Sequence, residues 1–581
     1  MKFVDESERF APLGLCPFGR RGSYFAVCLE PGASDHFGRS YVYLATCHGA
    51  ATAVGKRRLY NLQPVYEGER VPFASILTPT ELILRTLYGD VRICIAKPEL
   101  ILFHAENGLG LRFATTEELD RITKPRGKTA WETIFNCSID TVIHSIRGRV
   151  EADVPWDWDR LRTARSRIDM LPDEDGVMDA SLEEFQMCGY VRSAYPTYAE
   201  GLAIVKEDWE TFLAGIPALP GRYEAIRPQA SYCLWSYLVR PYGLIRRDLL
   251  YMSRFGPASA WQHTFQTVAY GHNYKYGWSQ LLNPFVHQGE TGQLPDFYDD
   301  NRGNFSTIRP PIQGWALKKL RKYGYYEHIP KSELEDFYPR LAAWADYFDK
   351  YRTEDSVEGL PHYENSDESG MEDGTTFREC CLMATPDLPA YLVLLYEELG
   401  EMSQDIGKSP SVKEYWYKKA EKMQAKLIEK LWNGERFVSH TMEGKEIEKD
   451  YGILGYMPVV LGKRLPEEIL SKLVADLKIE GYVLSDYGFD KEKQTGRDLC
   501  DVGRCSVRGY NYQPFNLLLI SSLYDECGEE DFARDVANRF CGEMLEHGGV
   551  AAVLNSYTGA VPSEWISWTA GAYLLIARYT E

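Results

Sequence analysis

The side chains best suited to chemistry lie in an acid-rich run at positions 361–374. It reads Pro361-His362-Tyr363-Glu364-Asn365-Ser366-Asp367-Glu368-Ser369-Gly370-Met371-Glu372-Asp373-Gly374. Crowded carboxyls repel one another, so at least one is expected to have a raised pKa if the site is partly dry. Such a carboxyl can donate a proton at neutral pH. The alternatives are a solvated acidic loop and a calcium loop, but the run lacks the EF-hand spacing.

A second cluster follows Arg309-Pro310-Pro311 and contains Gln313 and Trp315. The indole of Trp315 suits stacking on a sugar ring, and the amide of Gln313 suits sugar hydroxyls. The alternative for Trp315 is an ordinary core aromatic, since a proline-led helix start is structurally common.

Two more clusters lie near the C-terminus, at residues 505–516 with Arg508 and at residues 555–568 with Glu564 and Trp565. Glu564 stands at a predicted helix start. A carboxylate there either takes part in catalysis or simply interacts favourably with the helix dipole.

Other chemistries find little support. The sequence holds no HExxH and no GxSxG motif. A Walker-like Gly127-Lys128-Thr129 lacks its first glycine at Ile122, and a dinucleotide-like Gly108-Leu109-Gly110 is spoiled by Phe113. The histidines show no metal spacing. We therefore expect no cofactor and no metal.

The composition of the chain limits the kinds of partner that it is expected to bind. The 581-residue chain has a net charge of −19 and a pI near 5.2, which argues against nucleic acid or an anionic membrane as the main partner. The 13 cysteines form no CxxC pair and suggest reduced thiols. No long apolar run or signal-type N-terminus is visible, so the expected location is cytoplasmic. A homo-oligomer is compatible with the sequence.

The pattern of apolar residues predicts different secondary structure in the two halves of the chain that must position these residues. Short β-branched and aromatic runs, such as 82–88 and 91–95, predict an N-terminal all-β sandwich over residues 1–195. Residues 196–225 predict a linker helix, and residues 226–581 an all-α region. Helical periodicity is clear at 332–351, 386–399, 411–431, 466–477, 511–524, 530–545 and 564–579. Long loops between ten to twelve helices fit an (α/α)6 toroid, although the pattern equally allows another all-α arrangement.

Taken in order, the clusters resemble segments of the (α/α)6 glycosidases of the trehalase and family 63 α-glucosidase type, which include mannosylglycerate hydrolases. The resemblance covers about residues 230–580. Glu368-Ser369-Gly370-Met371-Glu372-Asp373 is similar to the family's E-S-G-(M/W)-D-N/F motif, and residues 309–316 to its Q-P-P-x-x-x-W-A segment. Residues 507–516 and 557–570 resemble its W-R-G-P and closing F-S-W-(S/T)-A segments.

This resemblance implies an inverting hydrolase acting on an α-linked small glycoside or oligosaccharide, with carbohydrate as its partner. The general acid falls on Glu372, with Asp373 as rival. The family's base position, at residues 551–559, holds no acid here, so Glu564 is the predicted base. Residues expected to line the substrate site are Trp261, Gln262, His263, Gln313, Trp315, Glu368, Arg508 and Trp565.

Two other functions stay open from the sequence. A toroidal polysaccharide lyase would use a Tyr or His as base, for which Tyr363 and His263 are candidates, with Arg508 neutralising a uronate. A sugar-binding protein without catalysis is compatible with the missing base and with Gln262, which stands where the family carries an Asp.

Overall fold

A computed structural model describes residues 9–29, 42–49, 58–115, 121–135, 139–353, 356–372, 374–493, 510–511, 513–546, 549–550, 554–555 and 565–581. Within these ranges the chain is β-rich up to residue 185 and predominantly helical from residue 198. The predicted change from strands to helices is therefore observed.

Two antiparallel sheets make up most of the β-rich region. The first has the order β1-β2-β3-β9-β16-β13, with β4 beside β3, and the second has the order β10-β11-β12-β17-β8-β7-β6-β5. The strands are β1 Phe25–Leu29, β2 Val42–Thr46, β3 Arg58–Tyr66, β4 Glu69–Arg70, β5 Ala74–Leu77, β6 Leu82–Arg85, β7 Asp90–Lys97, β8 Leu100–Ala105, β9 Leu109–Thr115, β10 Arg121–Arg126, β11 Ala130–Phe135, β12 Ile139–Arg147, β13 Arg149–Asp153, β14 Trp156–Asp157, β15 Arg162–Thr163, β16 Arg167–Leu171 and β17 Met178–Phe185.

The two sheets contact each other through their apolar faces. The ring centroids of Phe103 on β8 and Phe113 on β9 are 5.1 Å apart, and the Tyr60 hydroxyl on β3 lies 2.9 Å from Thr141 Oγ1 on β12. Side chains alternate across a strand, so each sheet turns one apolar set toward the other.

A helix covers the outer face of the second sheet. Helix α1, Tyr198–Gly215, begins with a capping box between Thr197 and Glu200. A Cβ on Gly201 would lie only 2.6 Å from Leu102 Cδ1, so the helix approaches β8 closely because this residue is glycine. The helix predicted within residues 196–225 is present, and it is packed against the sheet.

The helical region closes on itself, because its last helix contacts α2 and α3 near its start. The helices are α2 Arg227–Ser236, α3 Ala260–Ala269, α4 Tyr274–Val286, α5 Gln313–Lys322, α6 Lys331–Tyr351, α7 Ser366–Ser369, α8 Asp387–Asp405, α9 Pro410–Leu431, α10 Glu467–Leu477, α11 Gln513–Ser522, α12 Glu530–Glu546 and α13 Ser567–Ile576. The sequence predicted several of these within a few residues.

A buried ion cluster joins the β-rich and helical regions. His48, just after β2, places Nδ1 2.8 Å from Asp300 Oδ2 and Nε2 3.0 Å from Glu184 Oε1. Glu184 belongs to β17, whereas Asp300 lies in the loop between α4 and α5. Although burial opposes the charged imidazole, the two carboxylates raise the pKa of His48 to about 9. His48 is thus a cation at neutral pH and holds the two regions together.

Candidate active site

Glu368 anchors the predicted acidic run. Its side chain is completely buried, and both carboxylate oxygens accept hydrogen bonds from Arg352, at 2.8 Å from Nη1 and 2.9 Å from Nη2. The backbone N–H of Glu364 also donates to Oε2 at 2.8 Å. A buried carboxylate is tolerated when it is paired and hydrogen-bonded in this way. Glu368 therefore fixes the run to the C-terminal end of α6.

Local backbone geometry brings Glu372 back out of the core. The Asn365 side chain caps the short helix α7, and Gly370 ends it with φ +77°, in the left-handed region that glycine adopts readily. Ser366 Oγ donates to the carbonyl of Glu372 at 2.7 Å, which closes the turn. As a result, Glu368 points inward while the Glu372 side chain stays 30% exposed.

Two cations hold the Glu372 carboxylate. Lys491 Nζ lies 3.0 Å from Oε2, and Arg309 Nη1 lies 3.3 Å from Oε1. Burial alone would raise the pKa of Glu372, but Lys491 and Arg309 outweigh it and leave the pKa below its usual value. Glu372 is therefore ionised in the unliganded protein, whereas the crowding argument expected a raised pKa within this run.

A second carboxylate shares Arg309. Asp296, which precedes α5, places Oδ1 2.5 Å from Arg309 Nε, and Arg309 also donates to the carbonyl of Asp367. Burial raises the pKa of Asp296 despite this contact, and the neighbouring charges of Asp367 and Glu372 add to the rise. Arg309 thus ties the predicted second cluster to the acidic run.

Two aromatic rings, those of Trp261 and Phe515, pack against Gly370. A Cβ at this glycine would be 3.6 Å from the indole of Trp261, and the ring centroids of Trp261 and Phe515 are 5.9 Å apart. Phe515 belongs to α11, so the segments near residues 261, 370 and 515 converge here. The Trp261 side chain is nevertheless only 2% exposed.

The two residues after Trp261 lie in the core. Gln262 is fully buried and donates to Ser567 Oγ, which links α3 to α13. His263 is fully buried too, beside the ring of Tyr298 at a centroid distance of 5.9 Å, and burial lowers its pKa to about 3. Gln262 and His263 could make their predicted contacts with a sugar only if the side chains packed around them moved apart.

Gln313 and Trp315 are likewise packed inside the helical region. Gln313 Oε1 accepts a hydrogen bond from Trp344 Nε1 at 3.1 Å, and Trp315 Nε1 donates to Ser521 Oγ at 3.3 Å. Both side chains are buried. This is the core role that the sequence argument gave as the alternative for Trp315, and the predicted sugar contacts stay predictions.

Trp565 joins the two ends of the chain. Its backbone N–H donates to the carbonyl of Leu15 at 3.0 Å, its carbonyl accepts from the Tyr237 hydroxyl at 3.1 Å, and its side chain is buried. Three further predicted site residues, Asp373, Arg508 and Glu564, lie outside the described residues.

The two residues considered as lyase bases are inaccessible in this structure. Tyr363 is fully buried, its hydroxyl donates to Asp387 Oδ2 at 2.9 Å, and burial raises its pKa well above the usual value. His263 is buried as described above. Neither group is placed to remove a proton from a substrate.

Sequence reasoning missed three residues that organise this region, namely Asp296, Arg352 and Lys491. Arg352 follows a predicted helix, where a basic residue has an ordinary role near the helix dipole. Lys491 lies 119 positions from Glu372 in the chain. No local spacing rule connects positions so far apart.

The described part of the chain contains neither a metal-binding cluster nor a membrane-spanning helix. No group of three or more His, Cys, Asp or Glu side chains there is arranged to hold a metal ion. None of the helices in the described part of the chain combines the length and apolar character needed to cross a bilayer.

Comparison with solved structures gives distant neighbours. The GH63 mannosylglycerate hydrolase from Thermus thermophilus in complex with glucose is 18% identical, with a TM-score of 0.46, over 55% of this chain and 92% of that one. Neutral trehalase Nth1 from Saccharomyces cerevisiae is 12% identical, with a TM-score of 0.49, over 57% and 74% of the two chains. A sialidase is 12% identical, with a TM-score of 0.47, over 96% and 60%. A search among curated proteins finds no match.

The family comparison is more informative. The model of the mannosylglycerate hydrolase MGH1-like glycoside hydrolase domain matches residues 258–561. This segment is just over half of the chain, and it contains Trp261, Arg309, Glu368, Glu372 and Lys491. The protein therefore belongs to the MGH1-like family of glycoside hydrolases and is a glycosidase.

Proposed function

We propose that this glycosidase hydrolyses an α-linked small glycoside or oligosaccharide with inversion, using Glu372 as its general acid. The observation that carries the proposal is the position of Glu372. It is a partly exposed carboxyl in the run, it lies between Arg309 and Lys491, and a fully buried Glu368–Arg352 pair holds its backbone in place.

The charge state of Glu372 sets a condition on this role. Because its pKa lies below the usual carboxyl range, Glu372 is ionised at neutral pH before substrate binds. An acid must hold a proton, so binding of the glycoside has to weaken the contact with Lys491 or Arg309, or else exclude water from the carboxyl. A base role would need neither change, and a pH profile separates the two.

Inversion also requires a second carboxyl about 6.5–9.5 Å away to activate water. Glu564 is the proposed base and Asp373 the rival acid, as the sequence suggested. Asp296 suits neither role, since it is 3% exposed and its oxygens face Arg309 at 2.5 Å and 3.4 Å. We likewise propose a β-sandwich followed by an (α/α)6 toroid whose mouth carries this site.

Proton NMR of the reaction products tests the proposal. The full chain is incubated with α- and β-linked glycosides, which should include mannosylglycerate and trehalose because relatives carry those substrates in their names. We expect the attacked sugar of an α-glycoside to appear first as the β-anomer, and trehalose, whose leaving group is itself an α-glucose, to give equal amounts of the two anomers. Release of the α-anomer first would overturn inversion, and calorimetric sugar binding without turnover across the panel would favour the non-catalytic alternative.

A further inference from the structure

A cavity of about 330 Å³ lies among α6, α8 and α9, and the proposed reaction does not use it. Six of its lining side chains carry a charge or a hydroxyl, namely Asp349, Thr353, Tyr396, Lys419, Lys422 and Lys426. A volume in this range suits a small molecule. None of these residues belongs to the region around Glu372.

The carboxylate in this cavity is already balanced. Asp349 Oδ2 lies 2.5 Å from Lys419 Nζ, and Oδ1 accepts a hydrogen bond from the Tyr396 hydroxyl at 2.8 Å. Lys419 Nζ also reaches Asp346 at 3.1 Å. Lys419 faces two carboxylates, so this wall keeps one negative charge, and the other two lysines decide the sign of the charge in the cavity.

Lys422 and Lys426 add two positive charges, so the described lining residues together with Asp346 carry one net positive charge. Lys426 Nζ donates to the carbonyl of Gly359 at 2.7 Å, which is a polar but uncharged partner. Among the described residues, Lys422 has no hydrogen-bond or ion-pair partner. With Lys419, these residues recur at spacings of three and four along α9, so all three ammonium groups face the same side of the helix.

Gly359 lines the cavity beside the Lys426 ammonium group. Its φ is +62°, and a Cβ there would lie 2.9 Å from Lys426 Nζ. A larger residue would be strained by the backbone and would push Lys426 out of position. The local backbone therefore preserves both the space and the ammonium group.

We propose that this cavity binds the phosphoryl group of a small phosphorylated compound, of about the size of a hexose phosphate. Lysine ammonium groups attract phosphate as point charges and can donate three hydrogen bonds each. In a chain with a net charge of −19, a cavity whose described lining carries three lysines and one carboxylate is a local exception that favours an anion. The remaining volume accommodates the rest of the ligand.

Calorimetry and thermal unfolding of the full chain test this site with hexose 6-phosphate, inorganic phosphate and the unphosphorylated hexose. We expect hexose 6-phosphate to bind and to raise the unfolding temperature, because a ligand that prefers the folded state stabilises it. Inorganic phosphate should bind more weakly. Equal affinity for inorganic phosphate would still support a phosphoryl site and identify free phosphate as its ligand.

Variants on α9 locate the binding. Lys422→Gln and Lys426→Gln should each weaken hexose 6-phosphate binding by about tenfold, the loss expected for one charge-assisted contact of about 1.4 kcal/mol. Lys418→Gln is the matched control, since Lys418 lies on the same helix but pairs with Glu414 at 2.7 Å in solvent. Binding that is unchanged by Lys422→Gln, equally tight for the hexose, or undetectable at about 10 mM ligand would overturn the proposal.

Discussion

Glu368 and Glu372 stand four positions apart in one run, yet their surroundings are opposite. Glu368 is fully buried, and Arg352 binds both of its oxygens. Glu372 is 30% exposed at the side chain and is shared by two cations from distant parts of the chain. The difference teaches that one motif holds carboxylates in two settings: a rigid buried pair holds the backbone, and a partly open carboxylate is available for the proposed acid role.

Exchange of the open carboxyl should have the largest effect. Glu372→Gln is expected to lower kcat/KM by about 10³-fold, or about 4 kcal/mol, because the amide cannot transfer a proton. The overall fold should survive, as judged by circular dichroism. Steady-state kinetics on the best glycoside of the panel measures the loss.

A matched control is available for this exchange. Glu379 is a solvent-exposed carboxyl that pairs with Lys445 at 3.3 Å, and Glu379→Gln should retain the kinetics of the unmodified protein. Nearly unchanged turnover in Glu372→Gln would remove this residue from the mechanism and shift attention to Asp373.

Glu368→Gln, the same exchange at the buried position, should mainly lower the free energy of unfolding. Glu368→Gln removes the buried one of the two carboxylates that pair with Arg352 and leaves only the half-exposed Glu364 at 3.4 Å. Breaking such a buried pair costs about 3–5 kcal/mol. The midpoint of urea unfolding should fall accordingly. The double variant Arg352→Met with Glu368→Met should recover much of the loss, because no buried charge remains. A loss below about 1 kcal/mol in Glu368→Gln would show that the pair is not an anchor.

The contrast between local and long-range information explains what the sequence could predict. Apolar periodicity predicts a helix at residues 332–351, and α6 covers Lys331–Tyr351, with Pro339 inside a continuous helix. The period is a local property that helix packing preserves. The partners of the two carboxylates are not local: Lys491 reaches Glu372 only because distant loops meet.

Residue type alone does not tell how deeply a side chain is buried. Trp315 and Gln313 carry groups that suit sugars, but the same groups satisfy core partners at Ser521 and Trp344. An indole N–H needs a hydrogen-bond partner wherever it is buried, so its presence does not distinguish a core from a binding site. The order of the clusters was the more reliable guide, because it identified the family.

The His48 cluster is a third buried ionic contact, and it differs from the Arg352–Glu368 pair because its cation can lose its proton. The folded-state pKa of His48 is about 9, above the ordinary value of 6.5. Its contribution to stability is therefore complete below about pH 6.5 and is lost as pH rises through 9, with an upper size of about 3 kcal/mol. Unlike this cluster, the Arg352–Glu368 pair should not respond, since arginine stays protonated.

Thermal unfolding of the unmodified protein and of His48→Gln, compared at pH 6 and pH 10, measures this contribution. The difference between the two proteins should be large at pH 6 and should shrink at pH 10. The comparison within each pH cancels other groups that titrate in the alkaline range. A difference that is constant with pH would mean that His48 stabilises the junction by packing alone.

The smallest expected effect decides what Glu372 does. Lys491→Met removes one of its two cations, so the pKa of Glu372 should rise. If Glu372 is the acid, kcat/KM falls as pH rises through this pKa; the unmodified protein then works best on the acid side of neutrality, and the variant's basic limb moves to higher pH. Lys493→Met is the control. Lys493 lies two positions further on, over the ring of Tyr482 at 4.1 Å, and its loss should leave the basic limb unchanged.

Movement of the acidic limb instead would make Glu372 the base, because a base gains activity as it ionises. The acid would then have to be sought among Asp373 and Glu564.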